Sequence, residues 1–193
     1  MAGTRLEIEA KADQRILETL SQHCCVACGE CCRWHGYVLL HAGDIKWIAS
    51  KLDLAESDFL LHWCIVVWWR WGDCDQFRIA LARKPRVDEC IFLDGARCRI
   101  HEYKPLQCKA GPAAWSWISN PKFFWFYVRN SPSFDHRPGT FSLTVANSWF
   151  VATRNAAAVV SQATSLQSLA VVSEVSEETL RRLDMYEFRE EDF

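Results

Sequence analysis

Hydrophobic and polar positions recur along this chain with two periods, and each period predicts an element. Residues 5–23 place Leu6, Ile16, Leu17 and Leu20 in a background of Glu, Ala, Lys and Gln. With no proline in the run, this predicts an N-terminal helix with one apolar stripe, Leu6 standing apart from the other three. Residues 36–40 are short and β-prone. Residues 43–52 set Ile45, Ile48, Ala49 and Leu52 on one helical face, with Asp44 in the first turn, where negative charge suits the helix dipole. A second short helix starts near Ala55 or Glu56 and carries Phe59 and Leu60.

Residues 65–71 and 76–82 then read as two strands turned at Gly72-Asp73, and Pro85 ends the second. A second hairpin follows: residues 90–93, an Asp94-Gly95 turn, and a return over 96–100. Residues 101–113 read as loop or a single helical turn, and residues 114–140 as an aromatic, turn-rich stretch. The longest helix is expected over 140–164, with Phe141, Val145, Trp149, Ala152, Ala156 and Val159 at helical spacing. A last helix is expected over 173–186, N-capped by Ser176 with Glu177 and Glu178 in its first turn, before an acidic, frayed tail over 187–193.

Length and composition narrow what such a chain can be. The 193 residues suit one domain, and a half-hydrophobic composition is far from that of a disordered chain. A formal net charge of −2 gives no support for nucleic-acid binding or for a polybasic membrane tail. The N-terminal stretch carries Arg5, Glu7, Glu9, Lys11 and Asp13 and has no apolar core of a signal peptide. The longest apolar run, 59–71, is broken by His62 and Arg70 and is too short for a membrane span. The expected location is therefore the cytoplasm, where thiols stay reduced and clustered cysteines read as metal ligands.

Ten cysteines make that reading matter. Cys25, Cys28, Cys31 and Cys32 form a C-x2-C-x2-C-C array, in which two-residue gaps let thiolates turn back onto one metal. Gly29 permits a positive φ that frees backbone N–H groups to face sulfur. The vicinal pair Cys31-Cys32 diverges from any single ion, so a cluster or two-metal site accommodates it better than one tetrahedral zinc. Cys90, Cys98 and Cys108 form a second group, with Cys90 and Cys98 expected near each other at the open end of the Asp94-Gly95 hairpin and Cys108 returned by Pro105. Together the groups offer seven thiols. Cys24, Cys64 and Cys74 have no ligand spacing and read as packing or surface thiols.

These residues carry a family resemblance. C-x2-C-G-x-C-C, then a helix around Gly43-Asp44-Ile45, then Cys90, Phe92, Leu93, Cys98, Ile100, Pro105 and Cys108 resemble the CxxCxxCC cysteine-cluster family. The resemblance covers roughly residues 24–112. It implies metal binding by Cys25, Cys28, Cys31, Cys32, Cys90, Cys98 and Cys108. Lys104 and Lys109 stand where arginine is usual, which keeps the charge but loses the planar fork.

Other residues near the cysteines divide between bland and chemical roles. His23, His35 and His101 suit structural or solvent roles more than ligation. Arg33, Arg97, Arg99, Lys104 and Lys109 are equally compatible with surface charge and with offsetting thiolate charge. The aromatics Trp63, Trp68, Trp69, Trp71, Trp115, Trp117, Phe123, Phe124, Trp125, Phe126 and Tyr127 read mainly as core, with an exposed patch for a protein partner as the minority reading. Phosphate-loop, zinc-protease and nucleophile-elbow motifs are absent, so no residue is singled out for catalysis.

The combined reading is an α+β fold: a small cysteine-cluster domain with short β-hairpins, an N-terminal helix and C-terminal helices. Residues 1–193 form one domain, with a metal-binding core over 24–112 and an aromatic, helical extension over 113–193. The vicinal pair and the ligand surplus favour an iron–sulfur cluster of the 4Fe-4S type over Zn2+, serving redox chemistry or metal-dependent modification of a partner. The alternative is a structural zinc-binding module for protein contact.

Overall fold

The computed structural model describes residues 12–23, 25–33, 36–71, 74–114, 118–134 and 142–187. Helix α1 (Gln14–Leu20) begins where Asp13 caps it, its carboxylate accepting the Ile16 N–H at 2.9 Å. Ile16, Leu17 and Leu20 are the buried stripe, while Leu6 lies outside the described residues. Of 36–40, only Leu39–Leu40 forms a strand, β1. Helix α2 (Ala42–Lys51) starts a residue earlier than its periodicity predicts because His41 caps it. The His41 ring nitrogen accepts the Asp44 N–H, and the Asp44 carboxylate accepts the His41 N–H, a reciprocal capping box. Helix α3 (Glu56–Trp63) buries Phe59 and Leu60 as predicted.

Strands β2 (Cys64–Trp71) and β3 (Cys74–Leu81) pair antiparallel from Cys64↔Leu81 to Trp71↔Cys74. The joining Gly72 and Asp73 lie outside the described residues. The second hairpin is smaller than predicted. It contains only β4 (Leu93–Asp94) and β5 (Arg97–Cys98), with Leu93 opposite Cys98. Cys90 does not continue it, because a turn folds residues 90–93 and Cys90 bridges Arg83 instead. Helix α4 (Leu106–Ala110) lies between two single 3-10 turns.

Two corrections fall in the C-terminal half. The aromatic stretch holds helix α5 (Pro121–Asn130), with Asn120 as N-cap and Pro121 at the first helical position. Aromatics have middling helix propensity, so the cap and the burial of Phe124 and Tyr127 decide it. Helix α6 (Leu143–Val160) is the predicted long helix, started by Ser142; Phe141 lies outside the described residues. The single last helix is replaced by α7 (Leu166–Ser173), α8 (Glu177–Arg181) and strand β6 (Met185–Glu187). Glu174, at φ 57°, breaks the first, and Ser176 caps the second as expected.

The main sheet runs β1-β3-β2-β6, with β6 parallel to β2 and the other pairs antiparallel. Strand alternation splits its side chains. Cys64, Val66, Ile79 and Leu81 face a core completed by Ile45, Ile48, Phe59, Leu60, Phe92 and residues of α7 and α8. Ile65, Val67 and Ala80 are buried on the other face. A separate core joins α1 to Phe124, Ala146 and Phe150. The chain is α+β, and among the described residues no helix is long and apolar enough to cross a membrane.

Most described aromatics serve these cores. Trp63 stacks on Phe92 at 4.8 Å, Trp68 on Phe77 at 6.3 Å, and Phe124 and Tyr127 are buried. Trp47 and Phe126 are exposed. Trp115, Trp117 and the side chains of Trp71 and Phe123 lie outside the described residues.

Candidate metal centre

The first cysteine group is a tight loop because two left-handed residues flank Cys28. Ala27 has φ 54° and Gly29 φ 76°. After Gly29, residues Glu30–Cys32 form one 3-10 turn, and the Cys32 N–H donates to the Gly29 carbonyl at 2.9 Å. Gly29 is also a packing contact. A Cβ there would lie 2.8 Å from the Ala96 carbonyl oxygen and 2.8 Å from Leu93 Cδ1. The loop therefore sits directly on the β4–β5 hairpin.

Two further links join the cysteine groups. The Cys90 N–H donates to the Cys32 carbonyl at 2.8 Å, so the backbones of both groups are hydrogen-bonded. Arg33 spans the same junction. Its guanidinium donates to Glu30 and Glu89, each at 3.2 Å, and to the Gly95 carbonyl at 2.5 Å. A residue read from sequence as local positive charge is thus a clamp between the loop, the Cys90 segment and the hairpin turn. Arg99 lies over the Trp63 ring at 5.6 Å, and Arg97 is exposed.

Cys108 is positioned by polar ties on α4. Asp44 accepts the Leu106 N–H at 2.8 Å, so one carboxylate caps α2 and also fixes the start of α4. Gln107 accepts the Leu39 N–H at 2.9 Å and donates to the Tyr37 carbonyl at 3.4 Å, holding α4 against β1. Burial pushes the Asp44 carboxyl above its ordinary range, against the pull of His41 and two backbone N–H groups. Asp44→Ala is expected to lower unfolding free energy by about 2–4 kcal/mol in urea titration, since two backbone donors lose their acceptor. Asp44→Asn keeps an acceptor and is expected to lose less than half of that.

Six of the seven matched cysteines, Cys25, Cys28, Cys31, Cys32, Cys98 and Cys108, line one cleft of about 60 Å³. That is several times the roughly 10–15 Å³ one water requires. Cys90 stands behind it, buried, within hydrogen-bonding reach of Cys32. Cys32 is the hub, because its thiol interacts with Cys31, Cys90 and Cys98. One S–H serves one acceptor at a time, so three neighbouring sulfurs compete for the Cys32 proton. This pushes the Cys32 thiol far up, Cys31 down to about 7 and Cys98 down to about 6, and it lowers Cys90, while burial raises Cys108. The three lowered thiols are shifted toward the thiolate, the form that binds metal. Among the described residues, no three Cys, His, Asp or Glu side chains already stand where a single ion would hold them.

The cleft also holds residues outside the cysteine motif. His23, Tyr127, Ser131 and Ser133 line it and are each more than nine-tenths buried. The His23 ring packs against Phe134 at 5.1 Å and Tyr127 at 6.3 Å. Burial, with the nearby Lys104 charge, holds the His23 pKa down to about 4, so its imidazole is neutral. Tyr127, Ser131 and Ser133 come from beyond residue 112, where one aromatic among many and two isolated serines give nothing to read. His101, Lys104 and Lys109 line the cleft as well, and no carboxylate does so among the described residues. Cys64 is buried in the main core, as a packing thiol should be; Cys24, His35 and the side chain of Cys74 lie outside the described residues.

No curated protein and no solved structure shows significant similarity to the chain. A family model does match, under the description "Putative zinc- or iron-chelating domain", over residues 24–129. The match begins at the first cysteine group, passes Cys108 and runs into α5, taking in Tyr127. It spans more than half of the 193 residues, and the chain therefore belongs to the CxxCxxCC family.

Proposed function

We propose that Cys25, Cys28, Cys31, Cys32, Cys90, Cys98 and Cys108 are the ligand set of a metal centre, with an iron–sulfur cluster of the 4Fe-4S type favoured over Zn2+. Family membership supports chelation of zinc or iron in general. The observation that carries the finer reading is the convergence of two sequence-distant thiol groups on one cleft that has no carboxylate among its described lining residues. The donor set fits the group. Soft thiolates select iron–sulfur clusters and zinc over hard cations. Seven thiols, two of them adjacent, exceed the four of one tetrahedral ion.

When bound, a cluster supplies electron transfer or partner-directed redox chemistry. The chain's own residues do the rest. The loop around Cys28 and the hairpin hold the thiols in place. Arg33 fixes the spacing of the two groups. Tyr127 and His23 wall the cleft against water. The role is redox, or metal-dependent modification of a protein partner, in a reducing cytoplasmic setting.

The second reading, a structural zinc module for protein contact, draws on the exposed Phe126, whose helix also delivers Tyr127 to the cleft. Metal analysis of protein purified without oxygen separates the two. Brown protein containing iron and acid-labile sulfide is the expected result. Colourless protein with stoichiometric zinc supports the module instead, and protein retaining neither metal defeats both readings.

A further inference from the structure

We infer that Lys104 is the charge-compensating residue of the cysteine centre, a positioning residue whose ammonium sets how tightly the thiolates retain their metal. The inference rests on the ligand reading above. Local sequence fixes where Lys104 stands. Pro105 disfavours helix at the preceding residue, and Lys104 accordingly adopts φ −56°, ψ 155°, an extended joint between the His101–Tyr103 turn and α4. From that joint its Nζ donates to Cys25 Sγ at 3.7 Å, across the cleft from its own segment. Lys104 is thus a tie between the two cysteine groups, and it carries a charge.

Charge balance gives that contact its purpose. A divalent cation held by four thiolates leaves a net charge of −2 in a half-buried cleft. Sequestering that charge is costly without a counter-ion. Among the described residues no carboxylate lines the cleft, so an ammonium there is not drawn to an ordinary salt bridge with its lining. The other lysine on the lining, Lys109, has its Nζ 5.9 Å from the Trp47 ring centroid. The two lysines therefore form a matched pair for experiment: each lines the cleft with one positive charge, and of the two it is Lys104 that donates to a sulfur.

The test is a Zn2+ competition titration against a chromophoric chelator, using the reduced full-length chain and its Lys104→Gln, Lys104→Arg and Lys109→Gln variants. Lys104→Gln is expected to weaken Zn2+ binding about 10–100-fold, the usual range for removing a group that supports a ligand. Lys104→Arg restores the charge and is expected to stay within about threefold of wild type, with Lys109→Gln clearly milder than Lys104→Gln. High salt should narrow the gap between wild type and Lys104→Gln. Metal-free melting temperatures should coincide for all four proteins, separating charge from folding. Equal affinity of wild type and Lys104→Gln overturns the inference. So does Lys104→Arg as weak as Lys104→Gln, or Lys109→Gln as damaging as Lys104→Gln. Wild type that binds no Zn2+ counts instead against the ligand reading itself.

Discussion

Cys32→Ser and Cys98→Ser are each expected to leave the protein with less than about a tenth of the wild-type metal after anaerobic purification and desalting. The reason is both chemical and positional. A serine hydroxyl is a harder donor and does not ionise at neutral pH, so it replaces neither the charge nor the softness of a thiolate. Cys32 interacts with three other sulfurs, and Cys98 is one whose thiolate form is favoured near neutral pH, with a pKa of about 6. Cys28→Ser, in the loop between two left-handed residues, belongs to the same group. Cys64→Ser is the control. Its thiol sits in the main core, so the variant should keep its metal while losing about 1–3 kcal/mol of stability from a buried hydroxyl. Full metal retention in both Cys32→Ser and Cys98→Ser would contradict the ligand assignment.

Gly29→Ala is expected to cost about 2–4 kcal/mol of stability and to weaken metal retention together with it. Two effects add. At φ 76° an alanine bears the left-handed penalty of roughly 1–2 kcal/mol. Its Cβ would also lie 2.8 Å from the Ala96 carbonyl oxygen, a backbone atom of the hairpin turn that moves only by moving β4 and β5. Cys98 ends β5, so relief of the clash displaces a proposed ligand. Urea titration of the metal-free variant reads the first effect, and metal per chain after purification reads the second. A Gly29→Ala protein as stable as wild type would show that the loop does not rest on the hairpin as tightly as these distances require.

How much of this was legible beforehand differs by element. Helices α2, α3 and α6 and the β2–β3 hairpin show their apolar period plainly, and each formed close to the predicted bounds. Helix α5 does not, because Phe, Trp and Tyr side chains suit helix, strand or core alike until a cap and a burial partner select one. Strand β6 has three residues, too few for a period, and exists because β2 offers it an edge. The Asp94-Gly95 turn predicts Cys90 and Cys98 facing each other across a hairpin. In the fold, Cys98 ends the hairpin while Cys90 lies outside it, tied to the first cysteine group by its N–H to the Cys32 carbonyl.

Short-range features of the chain settle which residues are thiols and how the backbone can turn between them. Two-residue gaps, Gly29 after Cys28, and Pro105 before α4 are local features, settled by bond geometry and allowed φ/ψ within a few residues. Which side chains face one another is set by long-range packing. Arg33 joins segments sixty-odd positions apart, Asp44 pins the helix that carries Cys108, and Tyr127, Ser131 and Ser133 arrive from α5 and beyond to wall the cleft. Such meetings depend on which buried faces pack together, a property of the whole core that no local spacing encodes.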